Sequence, residues 1–217
     1  TYAVGLAVVA AARDLKGQVE AEAAKILGVP AVRVEWAGGI VRDRETGRYC
    51  PLAELAGQSA VPLRAASRLR MPYSERPAEG GLGHPHVLYS SNVQIAQVAV
   101  DVETGEVQVE RVVAFPECGR VINRLGLEGQ CEGGVAQGVG YALLEQVMLN
   151  DGRIINADLA TYTIPTACDV PQVQTIPVEV PEATGPFGAK GAAENATLPT
   201  APAILDAIAA ARAIEAE

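Results

Sequence analysis

Apolar residues recur at helical spacing from about Val4 to Leu27, at Leu6, Val9, Leu15, Val19, Ala23, Ile26 and Leu27, and Gly28 and Pro30 then supply stop signals. This predicts one long helix. "VRVEWAGGIVRD" switches to short alternating runs around Gly38 and Gly39, the pattern of a hairpin, and "PLAELAG" predicts one or two helical turns. Residues 58–86 have little periodicity and many breakers ("MPYSERPAEGGLGHPH"), so that segment is expected to pack on a neighbouring structure. "NVQIAQVAVDVETGEVQVERVVAF" is two strands joined by the turn "ETGE", with apolar residues alternating on both sides. In "LGLEGQCEGGVAQGVGYALLEQVML" helical spacing holds through the second half but glycines interrupt it. Each glycine costs a helix interior up to ~1 kcal/mol, so close packing or ligand approach is expected here. "NDGR" is a turn and "VQTIPVEV" a strand. A final helix follows, with Thr200 as its cap, Pro202 in its first turn and Ile204, Leu205 and Ile208 as its apolar stripe. Helices interleaved with antiparallel hairpins predict an α+β fold, expected as one domain over residues 1–217.

Composition narrows the class. The 217 residues are 49% hydrophobic but only 4% aromatic, so the core must be built mainly from Val, Ala, Leu and Ile. A net charge of −9 argues against nucleic acid or an anionic membrane as main partner. No apolar run approaches the ~18 residues of a membrane span, and no signal-peptide pattern opens the chain. Cys50, Cys118, Cys131 and Cys168 lack metal-ligand spacing and suit the reduced thiols of a cytoplasmic protein.

Few motifs carry chemistry unaided. His84 and His86 in "GHPH" have no Cys, Asp or Glu at metal-ligand spacing, and loop packing is their default role. "GPFGAK" is not a phosphate loop, because Lys190 is followed by Gly191 where that motif needs Ser or Thr. "EGQCEGGVAQGVG" suits a tightly packed helix. It equally suits a cofactor face on which Gln130 and Gln137 both donate and accept hydrogen bonds. Glu194, at the end of "GPFGAKGAAEN", is either a solvated loop carboxylate or the working group of a cavity.

Taken together, "VDVETGEVQVERVVAFPECGRVIN", "EGQCEGGVAQGVGYALLEQ", "NADLATYTIPTACDVPQV" and "GPFGAKGAAENATLPTAPAILDAIAAA" resemble the molybdenum-cofactor subunit of the xanthine dehydrogenase, aldehyde oxidase and carbon monoxide dehydrogenase family. The likeness extends back through "TYAVGLAVVAAARDL" and covers the C-terminal part of that much longer subunit. It implies that Glu194 falls on the family's catalytic glutamate, the general base of a water-derived oxygen attack on an aldehyde or N-heterocycle. It implies that Gln130 hydrogen-bonds the pterin, that Gly191, Ala192 and Ala193 offer amides to the cofactor, and that Thr1 follows a turn reaching the pterin. This chain has Ala193 where the family most often has glycine, and Asn195 where proline is frequent. The implied cofactor is molybdopterin, in its cytosine dinucleotide form, with no protein ligand to the metal in this chain. The implied partners are the remainder of the subunit, iron–sulfur ([2Fe–2S]) and FAD subunits, and a small-molecule substrate. The chain by itself is expected to be inactive. The alternative is a non-catalytic assembly piece that binds no cofactor by itself.

Overall fold

A computed structural model describes residues 1–69, 86 and 88–215. His84 and most of the breaker-rich segment lie outside the described residues. The fold is α+β, and the chain divides into two compact units, Ala3–Pro72 and Thr1–Tyr2 with Tyr73–Glu217.

The first helix, α1, runs Tyr2–Leu27. It turns Val19, Ala23 and Leu27, one turn apart, into the core of the Ala3–Pro72 unit. Gly28 ends it at φ 67°, with Gly28 N–H donating to Lys25 O and Val29 N–H to Ala24 O, the paired bonds of a Schellman motif. The predicted hairpin is β1 (Val34–Ala37) and β2 (Ile40–Asp43), with Gly38 and Gly39 both at positive φ between them. A third strand not expected from the sequence, β3 (Tyr49–Pro51), pairs antiparallel with β2, and α2 (Leu52–Gln58) follows directly. Val34, Val41, Cys50 and Leu55 complete that core.

Asp43 organises the β2–β3 turn. Its fully buried carboxylate accepts Arg33 Nε at 2.8 Å and Nη2 at 2.5 Å, the Thr46 hydroxyl at 2.5 Å, and the amides of Glu45 and Thr46. Arg33 first, then Thr46, hold this carboxyl far below the usual carboxylate range against the opposing effect of burial.

In the larger unit β4 (Ser91–Val100) and β5 (Val107–Glu117) pair antiparallel, with a register shift between Gln97 and Val98 and Gly105 at φ 76° in the connecting turn. The helix α3 (Arg124–Val139) is capped by Asn123, whose Oδ1 accepts the Gly126 amide at 2.9 Å. The short strands β6 (Leu149–Asn150) and β7 (Arg153–Ile154) flank the predicted Asp151–Gly152 turn. β8 (Gln172–Thr175) adds in parallel to β5, giving the order β4–β5–β8, and α4 (Thr200–Glu215) closes the chain. Val109 and Val112 of β5, Val135 and Val139 of α3 and Ile204 of α4 form one core cluster. Ala114, Cys118, Leu127, Cys131 and Ala196 form a second.

Four local expectations are corrected. The helical spacing of "YALLEQVML" does not yield a helix to its end. α3 passes into a π turn at Gly140–Leu144, and Glu145 folds back so that its amide donates to Gly140 O at 2.8 Å. The Glu145 carboxylate lies where a side chain on residue 140 would stand and accepts the Tyr162 hydroxyl at 2.5 Å. Thr200 is the first residue of α4 and is fully buried. Its hydroxyl donates to Gln94 rather than capping the helix as an acceptor. Leu205 is exposed, so the inward stripe of α4 is Thr200, Ile204 and Ile208. Before α4, regular strand around "VQTIPVEV" is confined to Gln172–Thr175. The Ile176 and Val178 amides still bond β5 carbonyls, while the residue between them points its nitrogen away from β5.

Because Asp43 is depressed in the folded state, its stabilisation is whole above its unfolded pKa of about 4 and is lost as pH falls below that value. The urea midpoint of the Ala3–Pro72 unit is therefore expected to drop on acidification from neutral pH. Asp43→Asn should lower the neutral midpoint and flatten the acid limb, as read by urea titrations across pH.

Candidate functional site

The residues of interest sit on two elements of the larger unit: α3, and the loop between β8 and α4. One face of α3 is buried through Leu127, Cys131, Gly134, Val135 and Gly138. The opposite face exposes Gly126, Gly129, Gln130, Gly133 and Gln137, spaced as neighbours on one side of a helix.

The glycines therefore divide into two kinds. A Cβ on Gly134 would stand 2.6 Å from Ala196 Cβ, and one on Gly138 would overlap Thr200, 2.6 Å from its Cγ2, so these two let the loop and α4 pack directly on the helix backbone. Around Gly129 and Gly133, apart from the adjoining helix backbone and chain neighbours, no atom of the described residues lies within 4 Å of where a Cβ would stand. Packing accounts for the first pair. For the second, the structure leaves open room for an approaching body.

The loop is fastened at both ends. At the first end the Lys190 amide donates to Cys118 O at 2.8 Å, and Gly119, at φ 72°, has its Cα against Gly188 O, which leaves no space for a side chain. Lys190 Nζ is paired with Glu117 Oε2 at 2.8 Å, both side chains less than a fifth exposed, and donates also to Tyr89 O at 3.0 Å. The lysine of "GAK" is thus a structural anchor. At the second end Asn92 Nδ2 and Gln94 Nε2, both on β4, donate to the carbonyls of Asn195 (3.2 Å) and Ala196 (2.7 Å). Thr197 Oγ1 donates to Gln137 Oε1 at 3.1 Å, joining the loop to the exposed face of α3.

Between these fastenings, Gly191, Ala192 and Ala193 run to the single turn Glu194–Ala196. Among the described residues, no acceptor is paired with the amides of Gly191, Ala192 or Ala193. Glu194 is exposed and opens the turn.

Two clefts flank α3. One, of about 240 Å³, is lined by Gly129, Gln130, Gly133, Gln137, Ala193 and Glu194 among others. The other, of about 370 Å³, is lined by Thr1, Cys118, Asn123, Gly126, Gln130 and Ala192 among others. Gln130 belongs to both. Glu194, Ala193 and Gln130 are thus brought together, and Thr1 and Ala192 meet Gln130 in the second cleft, while Gly191 lines neither. Of the histidines, His86 is exposed and packs edge-on against Tyr89, with ring centroids 5.9 Å apart. All four cysteines are free thiols, and only Cys168 is exposed.

Sequence reasoning missed Lys190, Glu117, Asn92 and Gln94 as parts of this arrangement. A signal existed for the last two. In the alternation of "NVQIAQVAV" they share a face with Ala96 and Val98, which pack on the core, so two amides stand at core-facing positions.

The match to the family model described as molybdopterin cofactor-binding domain covers residues 1–171, and the chain belongs to that family. It is 31% identical over 192 residues to a probable xanthine dehydrogenase subunit from Bacillus subtilis, covering 88% of this chain and 25% of that one. It is 28% identical over 223 residues to the Carbon monoxide dehydrogenase large chain of Hydrogenophaga pseudoflava, covering 96% and 26%. Quinoline 2-oxidoreductase from Pseudomonas putida 86 has a similar fold, with a TM-score of 0.72 at 26% identity over 89% of this chain and 25% of that one. A Cu,Mo CO dehydrogenase superposes with a TM-score of 0.75 at 24% identity, over 94% and 25%, a likeness that bears on the fold alone. The chain spans about a quarter of the length of these relatives. No described helix is long and apolar enough to cross a membrane.

The two kinds of glycine should behave oppositely. Gly138→Ala is expected to destabilise the chain by about 1–3 kcal/mol through overpacking. Gly129→Ala and Gly133→Ala should each stabilise it by up to about 1 kcal/mol, because they add helix propensity where space is open. Urea unfolding of the three variants beside the parent checks both signs.

Proposed function

We propose that this chain supplies the general base and one wall of the cofactor cleft of a molybdenum hydroxylase that oxidises an aldehyde or N-heterocycle. The observation that carries the reading is the meeting of Glu194 and Gln130 in one cleft beside a helix face bare of side chains at Gly129 and Gly133. The donor set fits a pterin. Gln130 and Gln137 present amides that donate and accept, the unpaired amides of Gly191, Ala192 and Ala193 add donors, and Thr1 lines the adjoining cleft. When bound, a molybdopterin cofactor supplies the two-electron acceptor and the water-derived oxygen.

The chain's own contribution is positional and acid–base. Gln130 and the loop amides hold the cofactor's polar edges. The Glu194 carboxylate accepts the proton of the oxygen nucleophile as that oxygen attacks the substrate carbon, which requires hydrogen-bond reach but no covalent role. The small residues before Glu194 allow the loop backbone to lie close to its target.

The outer face of the β4–β5–β8 sheet supports an assembly in which more structure is added. Val93 and Ile95 are exposed there, opposite half-buried Phe115 and Val113, and exposed Ile176 and Val178 continue the patch. Apolar patches of this kind mark interaction sites. The partner we propose is the remainder of a molybdopterin subunit, with iron–sulfur and FAD subunits completing electron transfer. The cytosine dinucleotide form of the cofactor and a cytoplasmic location, in keeping with the free thiols, belong to the same proposal.

In the assembled enzyme Glu194→Gln keeps shape and polarity but removes proton acceptance. Turnover per molybdenum is expected to fall by roughly 100- to 10,000-fold with cofactor content unchanged. A change of less than a few-fold at full cofactor content would return Glu194 to an ordinary loop carboxylate. Gln130→Ala should do the reverse, lowering molybdenum and pterin content while turnover per bound metal stays near normal. Full occupancy with a collapsed rate would reassign it.

A further inference from the structure

We infer that Gln94, on β4, is a positioning residue that sets the place of the Glu194 carboxylate. The inference rests on the reading of Glu194 as the base. Gln94 is 9% exposed and uses both ends of its side-chain amide on the segment that carries Glu194. Its Nε2 donates to Ala196 O at 2.7 Å, and its Oε1 accepts the Thr200 hydroxyl at 2.7 Å. Thr200 Oγ1 also lies 3.2 Å from Ala196 O. The hydroxyl has one proton, and Gln94 Oε1 is the nearer acceptor, so the hydroxyl donates there, which fixes which way the amide points.

The result is a relay of two hydrogen bonds, from the Thr200 hydroxyl to the Gln94 amide and from that amide to Ala196 O, tying one strand to both the catalytic turn and the first turn of α4. The turn itself is closed by Ala196 N–H donating to Ala193 O and Thr197 N–H to Glu194 O. Displacing Ala196 therefore displaces the residue two places before it. Asn92 helps less. Its bond to Asn195 O is 3.2 Å long, and its Oδ1, like Asn195 Nδ2, is buried with no partner among the described residues. Gln94 has both of its polar atoms paired in a buried setting, where removing one partner strands the other.

The test compares Gln94→Leu, Glu194→Gln and the double variant in the assembled enzyme, with kcat, KM and molybdenum content measured for each. Amide hydrogen exchange of residues 191–197 is followed in the same preparations. Gln94→Leu is expected to lower kcat per molybdenum by about 10- to 100-fold with little change in KM, the scale of a misplaced catalytic group. Exchange at Ala196 and Thr197 should quicken. Added to Glu194→Gln, it should cause no further loss, since it acts through the same carboxylate. Should Gln94→Leu fail to assemble, Thr200→Val and Thr200→Ser serve instead. Val removes the hydroxyl and should reproduce the loss, while Ser retains it and should restore most of the rate.

If Glu194→Gln abolishes turnover but Gln94→Leu keeps normal kcat per molybdenum, the positioning role is overturned and the base assignment stands. A Gln94→Leu enzyme that loses molybdenum and activity in proportion also overturns it, leaving a structural role. Additive losses in the double variant do the same. Near-normal turnover in Glu194→Gln overturns the reading beneath it.

Discussion

The close approach of α3 to the segment Ala196–Thr200 is the constraint on which the site depends. It exists because Gly134 and Gly138 present bare backbone: a single methyl at either position would overlap Ala196 or Thr200. Protein interiors are packed closely enough that such an overlap cannot be absorbed locally. With the two glycines in place, the loop lies on the helix, and Glu194 shares a cleft with Gln130 and Gln137. Without them the carboxylate and the amides would be separated by at least the thickness of a side chain.

Contact alone would not give a loop of small residues one conformation. Gly191, Ala192 and Ala193 have little to bury, so order must be imposed from the ends. The Lys190–Glu117 pair does this on one side. It is sheltered enough that screening by water is weak, and its lysine gains a third fixed point at Tyr89 O. The β4 amides do it on the other side. A chain held at Lys190 and at Asn195–Ala196 has only four residues between its fixed points, so Glu194 has a defined place although its side chain is exposed.

Much of the scaffold was legible from periodicity and turn chemistry, because those elements are determined locally. The span of α1 and its stop at Gly28, the Gly38–Gly39 hairpin, the "ETGE" hairpin and the inward Ile204 all depend on residues within a few positions of one another. What was illegible depends on distant partners. The end of α3 at Gly140 is set by Glu145 and Tyr162, and the buried end of α4 by Gln94, which is 106 positions from Thr200. Lys190 looked like part of a loop motif because its partner Glu117 lies 73 positions away. Glu194 is the extreme case. Its bare loop marks it as either a solvated carboxylate or a cavity's working group, and only the resemblance of four long motifs to a family assigns it a catalytic role. The cleft it lines is made with α3, about sixty residues earlier in the chain.

The exposed glycines carry the strongest argument for a cleft that receives something. Gly134 and Gly138 weaken the helix, and the packing they permit offsets that weakness within the fold. Gly129 and Gly133 weaken it by a similar amount, up to about 1 kcal/mol each, with no packing neighbour among the described residues close enough to compensate. The amides of Gly191–Ala193, unpaired among the described residues, and the exposed apolar residues of β4 add surfaces that a bound body could cover. A piece with only a packing role would be equally well served by alanine at 129 and 133 and by polar residues at 93 and 95. The bare helix face and the free amides flank Glu194, where a flat polar cofactor edge would recover what the isolated chain forgoes.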